Sequence, residues 1–296
     1  MLLSNLTQWS GSTLSAKEAI KINADAGFDA YDISLFGLTR DENFEFNCDN
    51  YAEKARELRE YADSLGIVCN QSHAPFSTST GDMEKDKWIF GKIIRSMEIA
   101  SILGAKIIVV HPKQHLCYAD YAEELFNMNV EFYKSLIPYC EKFGIKVAAE
   151  NMWQNNNGSR VPSDSTCSRA WEFNKYLDAV DSEWIVGCLD IGHVSLMNAD
   201  IPDFIRKMGN KRLQALHVHD TDFRSDKHTL PFMEKIDFIP VCEALAEIDY
   251  QGDFTFEADA FYRGKPEELY PATTKYMCEV GRYLVSKIEE AKNSRA

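Results

Sequence analysis

Eight short, β-rich apolar runs recur along the chain, and amphipathic helical patterns separate them. The runs are Leu2 to Leu6, Phe28 to Ser34, Gly66 to Asn70, Lys106 to Val110, Ile145 to Ala149, Trp184 to Leu189, Leu213 to Val218 and Asp253 to Phe256. Helical periodicity covers Ser15 to Ala26, Tyr51 to Leu65, Lys85 to Leu103, Ala119 to Phe143, Cys167 to Leu177 and Phe238 to Ile248. At Ala26-Gly27-Phe28, Leu65-Gly66-Ile67, Leu103-Gly104-Ala105 and Phe143-Gly144-Ile145 a glycine stands between helix and strand, where it accepts the left-handed conformation that ends a helix. The repeating unit is therefore βα, which builds either a closed barrel or an open doubly wound sheet. Dividing 296 residues among eight units gives 37 each, and no linker, charge run or compositional break splits the chain. The expectation is an α/β protein with one domain over residues 1–296, a single (β/α)8 TIM barrel.

Charge and composition narrow the partners. Lys and Arg total 32 against 46 Asp and Glu, a net charge of −14 that repels a phosphate backbone, so no nucleic-acid partner is expected. The first lysine is Lys17, so the N-terminus lacks the basic region of an export signal, and no run approaches the length of a membrane helix. Eight scattered cysteines include no C-x-x-C pair, which fits reduced thiols and a cytoplasmic location.

Chemistry concentrates at the strand ends. Six consecutive strands finish on His73, His111, Glu150, Asp190, His217 and Glu257, at intervals of 38, 39, 40, 27 and 40 residues. In a barrel, equivalent positions of successive βα units converge on the axis at the C-terminal face, where barrel active sites lie. Any one of these residues is accounted for as a turn or cap group. Six together leave imidazoles and carboxylates that cannot all be capped locally, and a divalent cation, Mn²⁺, Mg²⁺, Co²⁺ or Zn²⁺, neutralises such a set. His217 and His219 are two apart on one strand, and Asp226-Lys227-His228 adds an Asp/His pair in the following loop, enough for more than one ion. The two longest irregular segments, Asn151 to Thr166 and Asp220 to Ile236, both follow strands and are candidate substrate loops.

These residues resemble the xylose isomerase-like barrel superfamily, which includes sugar phosphate isomerases and epimerases, ketose 3-epimerases and endonuclease IV-type enzymes. The resemblance spans nearly the whole chain and rests on His-Pro at His111, Glu-Asn at Glu150, Leu-Asp-x-x-His at Asp190 and His193, His-x-x-Asp at His217 and Asp220, Asp-x-His at Asp226 and His228, and the strand-end Glu257. By resemblance to the ketose 3-epimerases, Glu150, Asp190, His217 and Glu257 hold one metal and His193 contacts substrate oxygen, with His219 as the fallback for His217. By resemblance to the endonuclease branch, His73, His111, His193, Asp226 and His228 hold further ions. Net charge favours a small polyol or sugar over DNA. One segment departs from the family: Pro231-Phe232-Met233-Glu234-Lys235-Ile236-Asp237 puts Phe232 and Glu234 where the family's turn has glycines, which predicts an altered loop.

The resulting expectation is a metal-dependent isomerase or epimerase acting on a sugar, sugar phosphate or related keto compound. Glu150 and Glu257, on different strands, exchange a proton at the carbon beside a metal-bound carbonyl. The alternative is a metal-dependent hydrolase or lyase, endonuclease IV-like or a dehydratase. A non-catalytic carbohydrate-binding barrel is disfavoured, because binding a sugar needs no row of metal-type ligands. Arg224, Lys227, Lys113 and Arg160 are candidate anchors for an anionic group, and Trp9, Trp153, Phe76 and Phe223 are candidate pocket walls. Pairing into homo-oligomers is an expectation from the family alone.

Overall fold

The computed structural model describes residues 1–155 and 161–295. One sheet carries eight parallel strands: β1 (Leu3–Leu6), β2 (Ala30–Ser34), β3 (Val68–His73), β4 (Ile107–Val109), β5 (Lys146–Glu150), β6 (Ile185–Asp190), β7 (Leu213–His217) and β8 (Phe254–Phe256). Neighbours pair in sequence order from β1 to β7, and β8 pairs with β1. The remaining seam, between β7 and β8, closes by a single bridge just beyond β7. There Val218 N donates to Thr255 O at 2.9 Å, and Glu257 N donates to Val218 O at 3.1 Å. The closed barrel is thus the fold, and the open doubly wound alternative is set aside.

Alternation of side chains along each strand sorts the apolar residues into two cores. Val109, Ala148, Val186, Cys188 and Ala215 pack inside the barrel. The outward-facing residues, such as Ile108, Val147 and Leu216, meet the surrounding helices in one large cluster with Ile93, Leu136 and Leu245.

The helices are α1 (Ala16–Ala26), α2 (Gly37–Arg40), α3 (Tyr51–Ser64), α4 (Met83–Leu103), α5 (Tyr118–Phe143), α6 (Ala170–Val180), α7 (Ile191–Leu196), α8 (Ile201–Arg212), α9 (Phe238–Glu247) and α10 (Tyr270–Asn293). Local chemistry sets their ends: Ser15 and Glu18 form a capping box on α1, and Gly27 and Gly104 close α1 and α4 at φ 96° and 97°. The helix expected from Cys167 begins instead at Ala170, because Cys167 itself turns through φ 63°. Among the described residues no helix is long and apolar enough to cross a membrane.

Both long segments carry regular contacts among their described residues. Trp153–Asn155 pairs antiparallel with Pro162–Asp164 as a short hairpin at the mouth. The second loop folds back on Asp220, whose buried carboxylate accepts N–H bonds from Thr221, Glu234, Lys235 and Ile236 at 2.8–3.1 Å. Phe232 adopts φ 72°, the left-handed conformation a glycine would take there. The substitution therefore leaves a glycine-like turn at residue 232, with the Asp220 clasp holding the loop against the cost of that conformation.

Candidate metal centre

Strands β5, β6 and β7 end on Glu150, Asp190 and His217, and Glu257 directly follows β8, which brings the four together at the C-terminal mouth. One donor atom from each of Glu150, Asp190, His217 and Glu257 lies within 4.8 Å of the donors from the other three. His217 Nδ1 stands between the two glutamates, 3.1 Å from Glu257 Oε2 and 3.4 Å from Glu150 Oε1. Asp190 also accepts the backbone N–H of His193 at 2.6 Å, so the first turn of α7 orients its carboxylate.

A second group of donors forms beside the first. His193, His219, Asp226 and His228 also bring donor atoms within 4.8 Å of one another. Asp226 Oδ2 lies 3.4 Å from His193 Nε2 and 3.0 Å from His228 Nε2, and the His219 and His228 rings stack at 4.3 Å. His219 Nε2 is 3.0 Å from both oxygens of Asp190, which links the groups. Gly192 makes this possible, since a Cβ there would overlap the His219 ring. His73 and His111 do not join this second group. His73 packs on His217 and is held through Nδ1 by Asp32 at 2.9 Å, while His111 Nε2 meets Glu150 Oε2 at 3.1 Å.

The electrostatics follow from burial and pairing. Burial pushes the Glu150 carboxyl up, but His217 and His111 outweigh it and hold the group well below the usual carboxylate range. Glu257 is held low in the same way, against burial, by His217 and His73, and Asp226 by His228 and His193. The imidazoles move oppositely: burial lowers His73, yet Asp32 overrides it and the ring is pushed up to about 9. His193, also opposed by burial, reaches about 10 beside Asp190 and Asp226.

The residues fit a divalent cation. Glu150 Oε2, Glu257 Oε2, both nitrogens of His217 and Asp226 Oδ1 are buried, and apart from the imidazole–carboxylate ion-pair contacts they have no hydrogen-bond partner among the described residues, an expensive arrangement that a cation relieves. Three carboxylates and one imidazole in the first group form a hard, mixed O/N set suited to Mn²⁺, Mg²⁺, Co²⁺ or Zn²⁺.

Above the donors the mouth opens into a cleft of two lobes, about 510 and 580 Å³, which share Phe36, Asp226, His228 and Glu257. Trp153 lines one lobe and its indole N–H lies 3.4 Å from Asp226 Oδ2, while Trp9 and Phe76 also reach the cleft. Arg224 does not. The Asp222 carboxylate accepts the N–H groups of Arg224 and Ser225, and Arg224 lines a separate hollow with Phe223 and Val161. Lys113 lies over the Phe132 ring, and Lys227 reaches the cleft but pairs with Asp222 and Glu234. Arg160 falls outside the described residues. Sequence reasoning missed Asp32, in mid-strand on β2 rather than at a strand end, and Asp259, 3.2 Å from His228 Nδ1. The signal for the first was available: a carboxylate inside the apolar run Ala30-Tyr31-Asp32-Ile33 needs a buried partner.

Fold and site together define a (β/α)8 barrel whose mouth gathers carboxylates and imidazoles from successive strands. The chain belongs to the xylose isomerase-like TIM barrel family, whose model matches residues 20–280. It is 23% identical over 233 residues to an inosose dehydratase of Clostridium perfringens, covering 70% of this chain and 72% of that protein. Among solved structures it resembles a D-tagatose 3-epimerase-like protein at TM-score 0.76 and 22% identity, covering 98% of this chain and 99% of that one. It also resembles the IOLI protein with a binding zinc atom at TM-score 0.74 and 20% identity, over 98% and 99% of the two chains.

Proposed function

We propose that this chain is a metal-dependent isomerase or epimerase of a sugar or related keto compound, which moves a proton at the carbon beside a carbonyl. The observation that carries the reading is the convergence of Glu150 and Glu257, from β5 and the end of β8, on Nδ1 of His217 within one four-donor group. Glu150, Asp190, His217 and Glu257 would hold the cation, which when bound supplies Lewis-acid polarisation of the substrate carbonyl. Both glutamates are ionised at neutral pH, so either can accept the carbon-bound proton. Return of a proton by the opposite glutamate to the other face inverts the carbon, and return to the neighbouring carbon interconverts aldose and ketose. His193, tied through Nδ1 to the Asn151 carbonyl at 2.8 Å, presents Nε2 toward Asp226 and the cleft, where it contacts a substrate oxygen. The likeness to a D-tagatose 3-epimerase-like fold supports this reading, and the zinc held by the IOLI protein supports a divalent ion.

The test follows deuterium entry from deuterated water into a panel of ketoses by NMR. Wild-type enzyme is expected to exchange the hydrogen beside the carbonyl, and Glu150→Gln and Glu257→Gln to lose about 10²- to 10⁴-fold in rate while keeping the ion. Undiminished exchange in both variants removes the glutamates from proton transfer.

The second donor group favours another reading, a hydrolase or lyase with more than one ion, and the inosose dehydratase relative points the same way. Elemental analysis separates them: about one ion per chain for the isomerase, and two or three for a multinuclear site.

A further inference from the structure

The two lobes of the cleft differ in charge, and the difference concerns two arginines. The lobe between the β1–α1 loop and the segment after β8 is lined by Trp9, Phe36, Arg40, Asp259 and Arg263 around the shared donors. Each acid there already has an imidazole: Glu257 has His217 and His73, Asp226 has His193 and His228, and Asp259 has His228 together with the Ser10 hydroxyl. Lys227 is held by Asp222 and Glu234. Arg40 and Arg263 remain, and among the described residues neither guanidinium has a carboxylate partner, although acids outnumber bases 46 to 32. Elsewhere Arg59, Arg169, Arg206, Arg212, Arg282 and Arg295 each hold one, and the others without one among the described residues, Arg56, Arg95 and Arg224, lie outside the cleft.

Both arginines are exposed at the rim of this lobe, and each is oriented by the contacts it makes. The Arg40 guanidinium lies over the Phe36 ring at 4.6 Å and donates to the Phe76 carbonyl at 3.1 Å, and burial draws its pKa below the ordinary guanidinium value. Arg263 is placed by Ser10, whose Oγ lies 3.5 Å from Nη2. Both retain unused N–H donors in the fork geometry that matches an oxyanion. The other lobe, lined by Phe76, His111, Leu116, Met152 and Trp153, has no lysine or arginine among its described lining. Of the anion anchors expected from sequence, the fold directs Arg224 and Lys113 elsewhere, Lys227 reaches this lobe but pairs with Asp222 and Glu234, and Arg160 lies outside the described residues.

We propose that the Arg40–Arg263 lobe is an oxyanion subsite, so that the substrate is a sugar carrying a phosphate or carboxylate group, bound with its anionic end there and its reacting carbon at Glu257. The assignment of the reacting carbon rests on the isomerase reading, whereas the subsite stands on the arginines. The binding test therefore uses polyols without a carbonyl, which cannot turn over. Calorimetric titration of the metal-loaded protein compares glucitol, glucitol 6-phosphate and gluconate. At least one anion is expected to bind about tenfold or more tightly than glucitol, as charge-assisted bonds to guanidinium give. Arg40→Ala and Arg263→Ala should each remove most of that advantage with glucitol affinity within about twofold, and Arg40→Lys and Arg263→Lys should restore part of it. A preference for glucitol 6-phosphate assigns a phosphate, and one for gluconate a carboxylate. Failure of both anions to bind more tightly than glucitol overturns the subsite, as does equal weakening of all three ligands by the alanine variants. Loss of deuterium exchange with the anion preference intact would instead count against the isomerase reading alone.

Discussion

Glu172 offers a quantitative test that is independent of substrate. It lies in the first turn of α6, 4% exposed, with the Tyr118 hydroxyl donating to Oε1 at 2.6 Å and Oε2 without a hydrogen-bond partner among the described residues. Burial outweighs the Tyr118 bond and pushes the carboxyl from an ordinary 4.5 up to about 7. Below pH 4.5 the folded and unfolded chains both hold the proton. Between pH 4.5 and about 7 the unfolded chain has released it and the folded chain keeps it, so stability falls as pH rises. The interval of 2.5 pH units at about 1.4 kcal/mol each sets a ceiling of about 3.5 kcal/mol, fully felt above pH 7. Glu172→Gln keeps the shape and an acceptor for Tyr118 but cannot ionise. Its amide nitrogen adds a pH-independent penalty of about 1 kcal/mol. Urea unfolding of both proteins from pH 4.5 to 8 should therefore show the stability difference moving by about 2 to 3 kcal/mol in favour of the variant as pH rises. A difference that stays constant with pH refutes the argument that this carboxyl is buried protonated. The same group matters to the cleft, because Tyr118 N–H also holds Gln154 Oε1 of the mouth hairpin at 2.9 Å.

Two further outcomes follow from the same geometry. Burial lowers His217, but Cys188, Glu257 and Glu150 raise it well above its ordinary value, so a cation must displace its proton; metal affinity should fall about tenfold per pH unit on acidification through neutrality, and a pH-independent dissociation constant would exclude His217 as a ligand. Asp220→Ala leaves four backbone N–H groups without their acceptor and should cost about 3 to 5 kcal/mol in denaturant unfolding, a loss below about 1 kcal/mol showing that the clasp is dispensable.

The architecture was legible because its signals are local. Apolar runs at strand length, 3.6-residue periodicity and Gly27, Gly66, Gly104 and Gly144 at helix ends depend on near neighbours, and all four glycines take positive φ as expected. Strand-end chemistry was legible for a related reason: a regular βα repeat carries equivalent positions to one face, so the spacing of His73, His111, Glu150, Asp190, His217 and Glu257 already implied convergence. Four helices lie outside the periodic segments read from sequence, the short α2 and α7 and the longer α8 and α10. Gly209 at φ 67° interrupts α8, and α10 has exposed Tyr276 and Tyr283 on its polar face.

Partnership was decided only in three dimensions. Chain spacing groups His73 and His111 with the other histidines, but side-chain packing sends His73 to Asp32 and His111 to Glu150, and brings His219 across Gly192 onto Asp190. Arg224 and Arg40 look alike as lone cations in a sequence. Turning the loop on Asp222 takes the first out of the cleft, and the Phe36 ring and Phe76 carbonyl hold the second, still exposed, at its rim. The sequence by itself thus determined the βα repeat and the kinds of donor at the mouth, since both are written in local pattern. Which donors face one another, and which charges are left without a partner, depends on contacts between residues up to about 180 positions apart, such as His73 with Glu257, and only the closed barrel makes them.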